Sequence, residues 1–489
     1  MSSANSGINA AGIKSFGAYI PRRRMPRAVI AAAHAWSFPS LKSLAKGERS
    51  MCSWDEDVIT MAVEAGRDCL QGSQGAIGSV SLASTTAPYD DLNNSVFVSS
   101  ALQLSETVSG RDLAGSTRVG LTSVIDACLA SGTGDRLVIA SERRVAKPGS
   151  ALEMQYGCGA AALTIGVGDD LIAGFLGSES VSVPFFDHFR KADREFDYIW
   201  EERWIRDEGV SKLVPRAINA LMSSLQLSSE RIAWFGLAGG PNGSDKLVAK
   251  LLEIAPERVL PDLQAQVGET GAAHSPLLLI SALERAKPGD IIVIASFAQG
   301  CEVLAFEMLR EAPNAGRRGL SGSIANRIEE SAYLKLLSFD GHVQLDWGMR
   351  TEVDNKTAMT QLYRSSDQIL GFVGGRCSAC SAVQFPRLPS CVNCGEIDRQ
   401  IPYPLAGESA RIATYTADWL QYSPSPPLYM GLVQFDCGAR VLMEIVDVGA
   451  GALAVGTALT MAFRIKERDR LRGYDRYFWK AAPAMPASV

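Results

Sequence analysis

Cys377-Ser-Ala-Cys380 and Cys391-Val-Asn-Cys394 form two CxxC knuckles separated by ten residues. A CxxC turn aims two thiolates at one point, and two such turns complete a tetrahedral sulfur site. Four soft sulfur ligands leave no open coordination position, so the expected metal is a structural zinc. An iron–sulfur site or a redox dithiol pair are the alternatives. The other six cysteines (Cys52, Cys69, Cys128, Cys158, Cys301, Cys437) have no partner at ligand spacing and read as small buried hydrophobes. Of the four histidines, His34 lies in an apolar run, His342 follows Asp340-Gly341, and His188 sits in the aromatic, charged Phe185-Phe-Asp-His-Phe-Arg190. His274 is the candidate general base, with helix capping as its bland reading. Its neighbour Glu269 could polarise it or act directly, since such work needs a tunable group within hydrogen-bond reach.

The elements that must position these groups are announced by an internal repeat. Gly134-Asp135-Arg-Leu-Val-Ile-Ala-Ser141 recurs as Gly289-Asp290-Ile-Ile-Val-Ile-Ala-Ser296, an offset of 155 residues. Both copies run into β-branched stretches that read as buried strands. Both follow a helix-like segment, Leu121–Leu129 and Leu277–Arg285, and both precede a partner strand, Ala160–Ile165 and Val303–Glu307. The shared order predicts two α/β halves related by pseudo-twofold symmetry, 1–170 and 171–311. The same offset carries Thr117 onto Ala272, so Ser116-Thr117 and Gly271–His274 open equivalent helices. Unpaired N–H groups and a positive dipole end at such starts suit a thioester oxyanion or an enolate.

After Arg310 the texture changes. Glu311–Gly322 is rich in Gly and reads as a linker, and a polar, partly helical connector completes 312–370. The knuckles occupy 371–400. From 401 to 489 come short alternating segments, Ile412–Thr416, Met430–Phe435, Arg440–Ile445 and Leu459–Arg464, punctuated by glycines as in a small β-barrel. Asp197–Glu208 reads as a surface helix with Trp200 and Trp204 turned inward; its functional reading is a pocket wall with Arg206 near the active centre.

The chain has 489 residues, 47% hydrophobic and 21% charged, with a formal net charge of −5. That is long enough for two to four domains that need no disulfide staples, and the balance argues against disorder and against a nucleic-acid partner. No apolar run approaches the ~18 residues of a membrane span. The start lacks a signal-peptide pattern, so a cytoplasmic protein with reduced thiols is expected.

These residues resemble known families. Gly12-Ile13 through Tyr19-Ile-Pro21, Asp55–Glu64, Ser150-Ala-Leu-Glu153 with Gly157–Ala162, Pro241-Asn-Gly243 and the Lys287–Asp290 turn resemble 3-hydroxy-3-methylglutaryl-CoA synthases of the archaeal and bacterial type. The resemblance spans about residues 10–310 and implies the duplicated thiolase fold and a homodimer. Both knuckles, Thr414-Tyr-Thr416, Gly431-Leu-Val433 and Tyr477-Phe-Trp-Lys480 resemble the zinc-ribbon and OB-fold module that accompanies thiolase-like enzymes. The family works through a cysteine, a histidine and a glutamate. By position these fall on Thr117 (beside Ser116), on Gly239 in Gly239-Gly-Pro-Asn242, and near Thr85. All three have changed type, so acyl-cysteine chemistry does not carry over directly. A hydroxyl needs an adjacent base to act as a nucleophile, so Thr117 reads as a hydrogen-bond donor; Cys158 and Cys301 are the candidates for a displaced nucleophile.

The function expected is therefore an acyl-CoA carbon–carbon bond enzyme, in its first form an acyltransferase. It would perform thiolytic cleavage of a β-keto acyl-CoA, or the reverse Claisen condensation, on an acyl group that could be bulky or aromatic. Retro-aldol cleavage of a β-hydroxyacyl-CoA and a non-catalytic acyl-CoA-binding subunit are the alternatives. The expected catalytic set is His274, Thr117, Ser116, Glu269 and Asn242. Arg206 and Arg22 are the candidates to meet coenzyme A, and Cys377, Cys380, Cys391 and Cys394 to hold zinc.

Overall fold

A computed structural model describes residues 11–72, 75–130, 134–312, 316–352, 356–449 and 453–484. The chain start read for a signal peptide, and part of the linker after Glu311, lie outside these residues. The chain divides into two units. One comprises the described part of Met1–Met51, with Glu64–Ser95 and Thr107–Tyr333; the other comprises Cys52–Val63, Val96–Glu106 and the described part of Leu334–Val489.

In the first unit the repeated Gly-Asp segments become the strands Asp135–Arg143 and Ile291–Phe297, the second buried throughout. Each pairs antiparallel with its expected partner, Cys158–Gly166 and Gly300–Met308. Each also pairs parallel with an earlier strand, Ile77–Ala83 and Ile232–Ala238. Ile77–Ala83 pairs onward with Ser109–Leu113, and an isolated parallel bridge from Phe235 to Val259 stands in the matching place of the second half. Gly12–Tyr19 and Ala173–Ser182 close the halves and meet through Gly12 and Ile13, joining all into one nine-stranded sheet. This duplicated α/β topology is the one expected from the repeat, and it is the thiolase-like fold that the resemblance implied.

The equivalent helices are Val119–Leu129 and His274–Leu283, whose starts keep the 155-residue offset. Every residue of His274–Leu283 is buried. A helix buried on all sides must be enclosed by neighbouring layers, and the apolar residues of this one share the main core with Leu121, Val124, Val138, Ala140 and Leu163. The two helix starts are in contact: a Cβ on Gly120 would fall 1.8 Å from the Ala272 carbonyl oxygen. The halves differ in one connection. Ile291–Phe297 reaches Gly300 through a tight turn, whereas Asp135–Arg143 reaches Cys158 through residues 144–157, which include the short helix Ala151–Gln155. That asymmetry positions the candidate site.

The second unit contains the ribbon strands Val373–Cys377, Val383–Gln384 and Gln400–Pro404. A closed barrel is formed by Ala410–Asp418, Leu428–Phe435, Arg440–Ile445, Tyr474–Pro483 and Ala458–Asp469. Arg440–Ile445 alternates exposed and buried residues, as a strand with one face on a core should. Trp479, Tyr477, Phe463 and Phe435 are fully buried. The acidic triplet Asp55-Glu56-Asp57 belongs to this unit and serves structure. Asp55 lies 2.9 Å from Lys480, Glu56 3.2 Å from Arg464, and Asp57 accepts from the Tyr477 hydroxyl at 2.6 Å. Burial opposes ionisation of Asp55, but the Lys480 and Arg464 cations outweigh it and hold its carboxyl below the usual range.

Candidate functional site

The two helix starts and the Phe297–Gly300 turn form one junction in the first unit. Ser116 and Thr117 are half-buried. The Ser116 hydroxyl donates to the Ala298 carbonyl at 3.4 Å, which orients it without activating it. No side chain fits at Gly239: its φ is +86°, and a Cβ would fall 2.1 Å from the Phe297 carbonyl oxygen. Only glycine suits this position, where the Phe297 backbone closes the space a side chain would need.

A buried carboxylate occupies the junction. Glu142 accepts from the Thr85 N–H at 3.1 Å, the Thr85 hydroxyl at 3.2 Å, the Thr86 hydroxyl and the Ala272 N–H at 3.1 Å. Burial pushes its pKa up, and the Thr86 hydroxyl and the Arg144 cation only partly offset this. Gly271 makes the approach possible, since a Cβ there would fall 2.6 Å from Glu142 Cγ. Glu269 accepts from the Gly271 N–H at 2.8 Å. The Gly271 and Ala272 N–H groups, which the sequence offers as oxyanion donors, are therefore taken by the protein's own carboxylates.

Arg144 ties this junction together. Its guanidinium donates to Glu269 at 2.5 Å, to Asp197 at 2.6 Å and to the Tyr156 hydroxyl at 2.7 Å, and lies 3.9 Å from the Tyr156 ring centroid. Asp197 also accepts from Arg190 at 3.0 Å, and Arg190 donates to the Thr85 carbonyl at 2.6 Å. Burial works against the charge of Glu269, but Arg144, then His274 and His188, overcome it and lower its pKa. Asp197 is lowered in the same way, burial being outweighed by Arg144 and the Tyr156 hydrogen bond.

His274 is buried, and its Nδ1 faces the Thr270 N–H at 3.3 Å and the Thr270 hydroxyl at 3.2 Å. It lines a cavity of about 40 Å³ with Gly239, Gly240, Asn242, Asp262 and Gln264, enough for about one water. Asn242 itself is exposed. Arg206 is also exposed and pairs with Asp207 at 3.0 Å. Arg22 is half-buried, and its neighbour Arg24 is fully buried, donating to the Ser323 carbonyl at 3.2 Å. The Asp197–Glu208 segment is not one helix: Tyr198–Ile199 is a strand, and Trp200 and Trp204 are 48% and 46% exposed. His34 is engaged by the Tyr333 hydroxyl at 2.6 Å and by Glu153 at 3.3 Å.

Five of the six remaining cysteines are buried and Cys437 is half-buried. Burial pushes the Cys301 and Cys128 thiols up to about 12 and the Cys69 thiol to about 11. Such thiols are poor nucleophiles at neutral pH.

In the second unit the four knuckle sulfurs all lie within 4.8 Å of one another, with Cys377–Cys394 at 3.7 Å and Cys380–Cys391 at 3.6 Å. A tetrahedron with ~2.3 Å metal–sulfur arms has edges of about 3.8 Å, so the set fits zinc. Elemental analysis should find one zinc per chain, and Cys391→Ala should abolish binding and unfold the ribbon; a metal-free protein with unchanged melting would overturn this assignment.

Glu142, Arg144, Tyr156 and Asp197 were not singled out from sequence. The signal lay in the repeat: where the copies stop matching, Glu142 follows Ser141 while the apolar Phe297 follows Ser296. A carboxylate continuing a buried strand is the kind of departure that marks a site.

Comparisons with known proteins agree with this architecture. Residues 222–307 match the C-terminal region of 3-oxoacyl-[acyl-carrier-protein] synthase III. Residues 370–397 match the rubredoxin-like zinc ribbon of ChsH2, and 403–464 its C-terminal OB-fold. Hydroxymethylglutaryl-CoA synthase of Methanopyrus kandleri is 30% identical over 329 residues, covering 65% of this chain and 89% of its own. That of Aeropyrum pernix is 27% identical over 370 residues, covering 72% and 97%. Among solved structures, MvaS in complex with 3-hydroxy-3-methylglutaryl coenzyme A superposes with a TM-score of 0.55 at 15% identity, over 68% of this chain and 92% of that one. The synthase III of Aquifex aeolicus gives 0.54 at 17% identity, over 61% and 99%.

Proposed function

We propose a reaction from the premise that the chain belongs to the hydroxymethylglutaryl-CoA synthase family of thiolase-like condensing enzymes, with a ChsH2-type zinc ribbon and OB-fold appended: it breaks or makes the carbon–carbon bond beside the thioester carbonyl of an acyl-CoA. Its first form is thiolysis of a β-keto acyl-CoA by coenzyme A, or the reverse Claisen condensation. The observation that carries the reading is the pair of touching helix starts, one following Ser116-Thr117 and the other opening at His274, with the buried carboxylates Glu142 and Glu269 on the N–H groups of the second.

In this reading His274 moves the proton at the α-carbon through Nε2, its ring oriented by the Thr270 hydroxyl at Nδ1. Thr117 and Asn242 donate to the thioester oxygen as it gains charge, and Ser116, whose own proton goes to the Ala298 carbonyl, holds the helix start that carries Thr117. Glu142 pins the start of the second-half helix. Arg206 and Arg22 meet the coenzyme A phosphates. The half-exposed Phe189, Tyr198, Trp200 and Trp204 form an aromatic surface suited to a bulky acyl group. The proposal includes a homodimer through the N-terminal half, so light scattering at micromolar concentration should give twice the chain mass; a monomer would remove that part. It also places the protein in the cytoplasm, with reduced thiols; no described helix is long and apolar enough to cross a membrane.

The high thiol pKa values favour one second reading, aldol-type cleavage of a β-hydroxyacyl-CoA, which needs a base and an enolate site but no acyl-enzyme. Product mass spectrometry on β-keto and β-hydroxyacyl-CoAs, with and without free coenzyme A, separates the two. Dependence on free coenzyme A means thiolysis, and an aldehyde or ketone formed without it means aldol cleavage. Silence on both classes overturns the reading.

A further inference from the structure

We propose that His188, clamped by Asp187 onto the Phe297–Gly300 turn, is a second catalytic acid–base residue, the one that takes the proton from sulfur or oxygen while the carbon–carbon bond is exchanged. The proposal rests on the reaction class above and deepens it.

His188 opens the two-residue strand His188–Phe189, which pairs with Tyr198–Ile199. Asp187 Oδ2 lies 2.7 Å from His188 Nδ1. Its other oxygen accepts from the Gln299 N–H at 3.2 Å and from the Gln299 side-chain amide at 3.1 Å, and that amide also donates to the His188 carbonyl at 2.7 Å. The dyad is thus fastened to the turn at three points. The same turn closes the family's histidine position, through the Phe297 carbonyl against Gly239, and holds Ser116, through the Ala298 carbonyl. Gly300 meets Arg118 beside Thr117, where a Cβ would fall 3.3 Å from the guanidinium. The four consecutive residues that hold the dyad through Gln299 thus also touch Gly239, Ser116 and Arg118, at or beside the positions that the resemblance gives to the family's imidazole and nucleophile.

Two further observations agree. Gln299 adopts φ +49°, in the left-handed region that a non-glycine residue rarely visits. Its hydrogen bonds to the dyad offset that cost, and such outliers gather at functional sites. The partner strand also follows directly from Asp197, so the hairpin is anchored to the Arg144 network as well. The histidine side chain is 18% exposed against 8% for its aspartate. A carboxylate on Nδ1 fixes the tautomer that leaves Nε2 as acceptor, and Nε2 has no partner among the described residues.

The chemistry requires such a group. In thiolysis the coenzyme A S–H proton passes to Nε2 and sulfur bonds to the β-carbonyl carbon. The carbon–carbon bond then breaks, and its electron pair goes to the α-carbon, which takes up a proton. In the aldol direction the β-hydroxyl proton passes to Nε2, the C–O bond becomes C=O, and the pair again goes to the α-carbon. Both directions remove one proton from a heteroatom, taken by His188, and add one at the α-carbon, given by protonated His274; solvent takes the first proton and restores the second before the next turnover.

The test is footprinting of the zinc-loaded protein with diethyl pyrocarbonate, mapped by peptide mass spectrometry, with and without acetyl-CoA. Acetyl-CoA should slow modification of His188 severalfold; an unchanged rate overturns the proposal, whether or not a substrate for turnover has been found. With a substrate in hand, His188→Gln should lower kcat by on the order of 10²–10⁴, with KM little changed and wild-type zinc content and melting. Imidazole should restore part of the turnover of His188→Ala, a rescue that a merely structural role would not give. Full turnover by His188→Gln sinks the proposal and leaves the reaction class standing. An inactive wild-type protein sinks the reaction class, and the footprint alone then decides whether His188 meets the thioester.

Discussion

His274→Ala lowers turnover by on the order of 10²–10⁴, the usual cost of losing a general base, while Cys158→Ser and Cys301→Ser stay within about tenfold, a barrier change of ~1.4 kcal/mol. The contrast follows from where the groups sit. The His274 imidazole stands at the start of a buried helix, with Nδ1 held by the Thr270 hydroxyl and close enough to Glu269 to help hold that carboxyl below its usual range. Cys301 lies in the strand Gly300–Met308, where burial and then Glu302 drive its thiol up to about 12. At neutral pH that leaves about one thiolate in 10⁵. Cys158 is 3% exposed within a strand. Because His274 is itself buried, His274→Asn should accompany the alanine variant: it preserves a polar group for Thr270 while removing the titratable ring. Retention of turnover by both would end the assignment. An acyl adduct mapped to Cys301 would instead restore ordinary two-step acyl transfer.

The duplicated architecture could be read from the chain because a strand buried on both faces must be written in β-branched residues, and two such strands carried nearly the same letters. The offset then located the second helix start to the residue, since Val119 and His274 open their helices at the same separation. The four barrel strands expected from alternation are present, but the fifth, Tyr474–Pro483, was seen only as a motif. Its Tyr477, Trp479, Lys480 and Ala481 are all buried, so the alternation that betrays a half-exposed strand is broken. The same cause hid the role of Asp55–Asp57: a charged triplet beside an apolar helix reads as solvated until the buried Lys480 and Arg464 that neutralise it are placed.

The site was less legible. The two helix starts touch through Gly120 and Ala272, as equivalent elements of two halves near a pseudo-twofold axis must, and Glu269 reaches the second start through the Gly271 N–H. Glu142 and Arg144 did not announce themselves, since a charge at the end of a strand is ordinary unless the connection after it is known to fold back. The aromatic stretch after Asp197 was misjudged for a related reason. Trp200 and Trp204 have the spacing of a helical stripe, yet Tyr198–Ile199 is drawn into a hairpin with His188–Phe189, a pairing that no local pattern in the sequence specifies.

Replacing Arg144 with leucine should destabilise the first unit by ~3–5 kcal/mol at neutral pH, the usual cost of stranding the partners of a buried charge. Arg144 is the cation shared by Glu269, Asp197 and Glu142, and it also caps the Tyr156 hydroxyl, so no other single side chain compensates so much buried negative charge here. The loss should depend on pH with a definite sign. Glu269 and Asp197 have depressed pKa values in the folded protein. Their contribution to stability is therefore full above the unfolded carboxylate range near ~4 and is lost as pH falls through their folded values. In Arg144→Leu burial is opposed only by Arg190 and Tyr156 at Asp197 and by the two histidines at Glu269, so both carboxyl pKa values rise and the stability lost on acidification shrinks. The gap between the two melting temperatures should be widest near neutrality and should close as pH falls toward and below about 4. Melting curves that stay equally far apart from pH 7 to pH 4 would show that Arg144 acts through packing on Tyr156 rather than through charge.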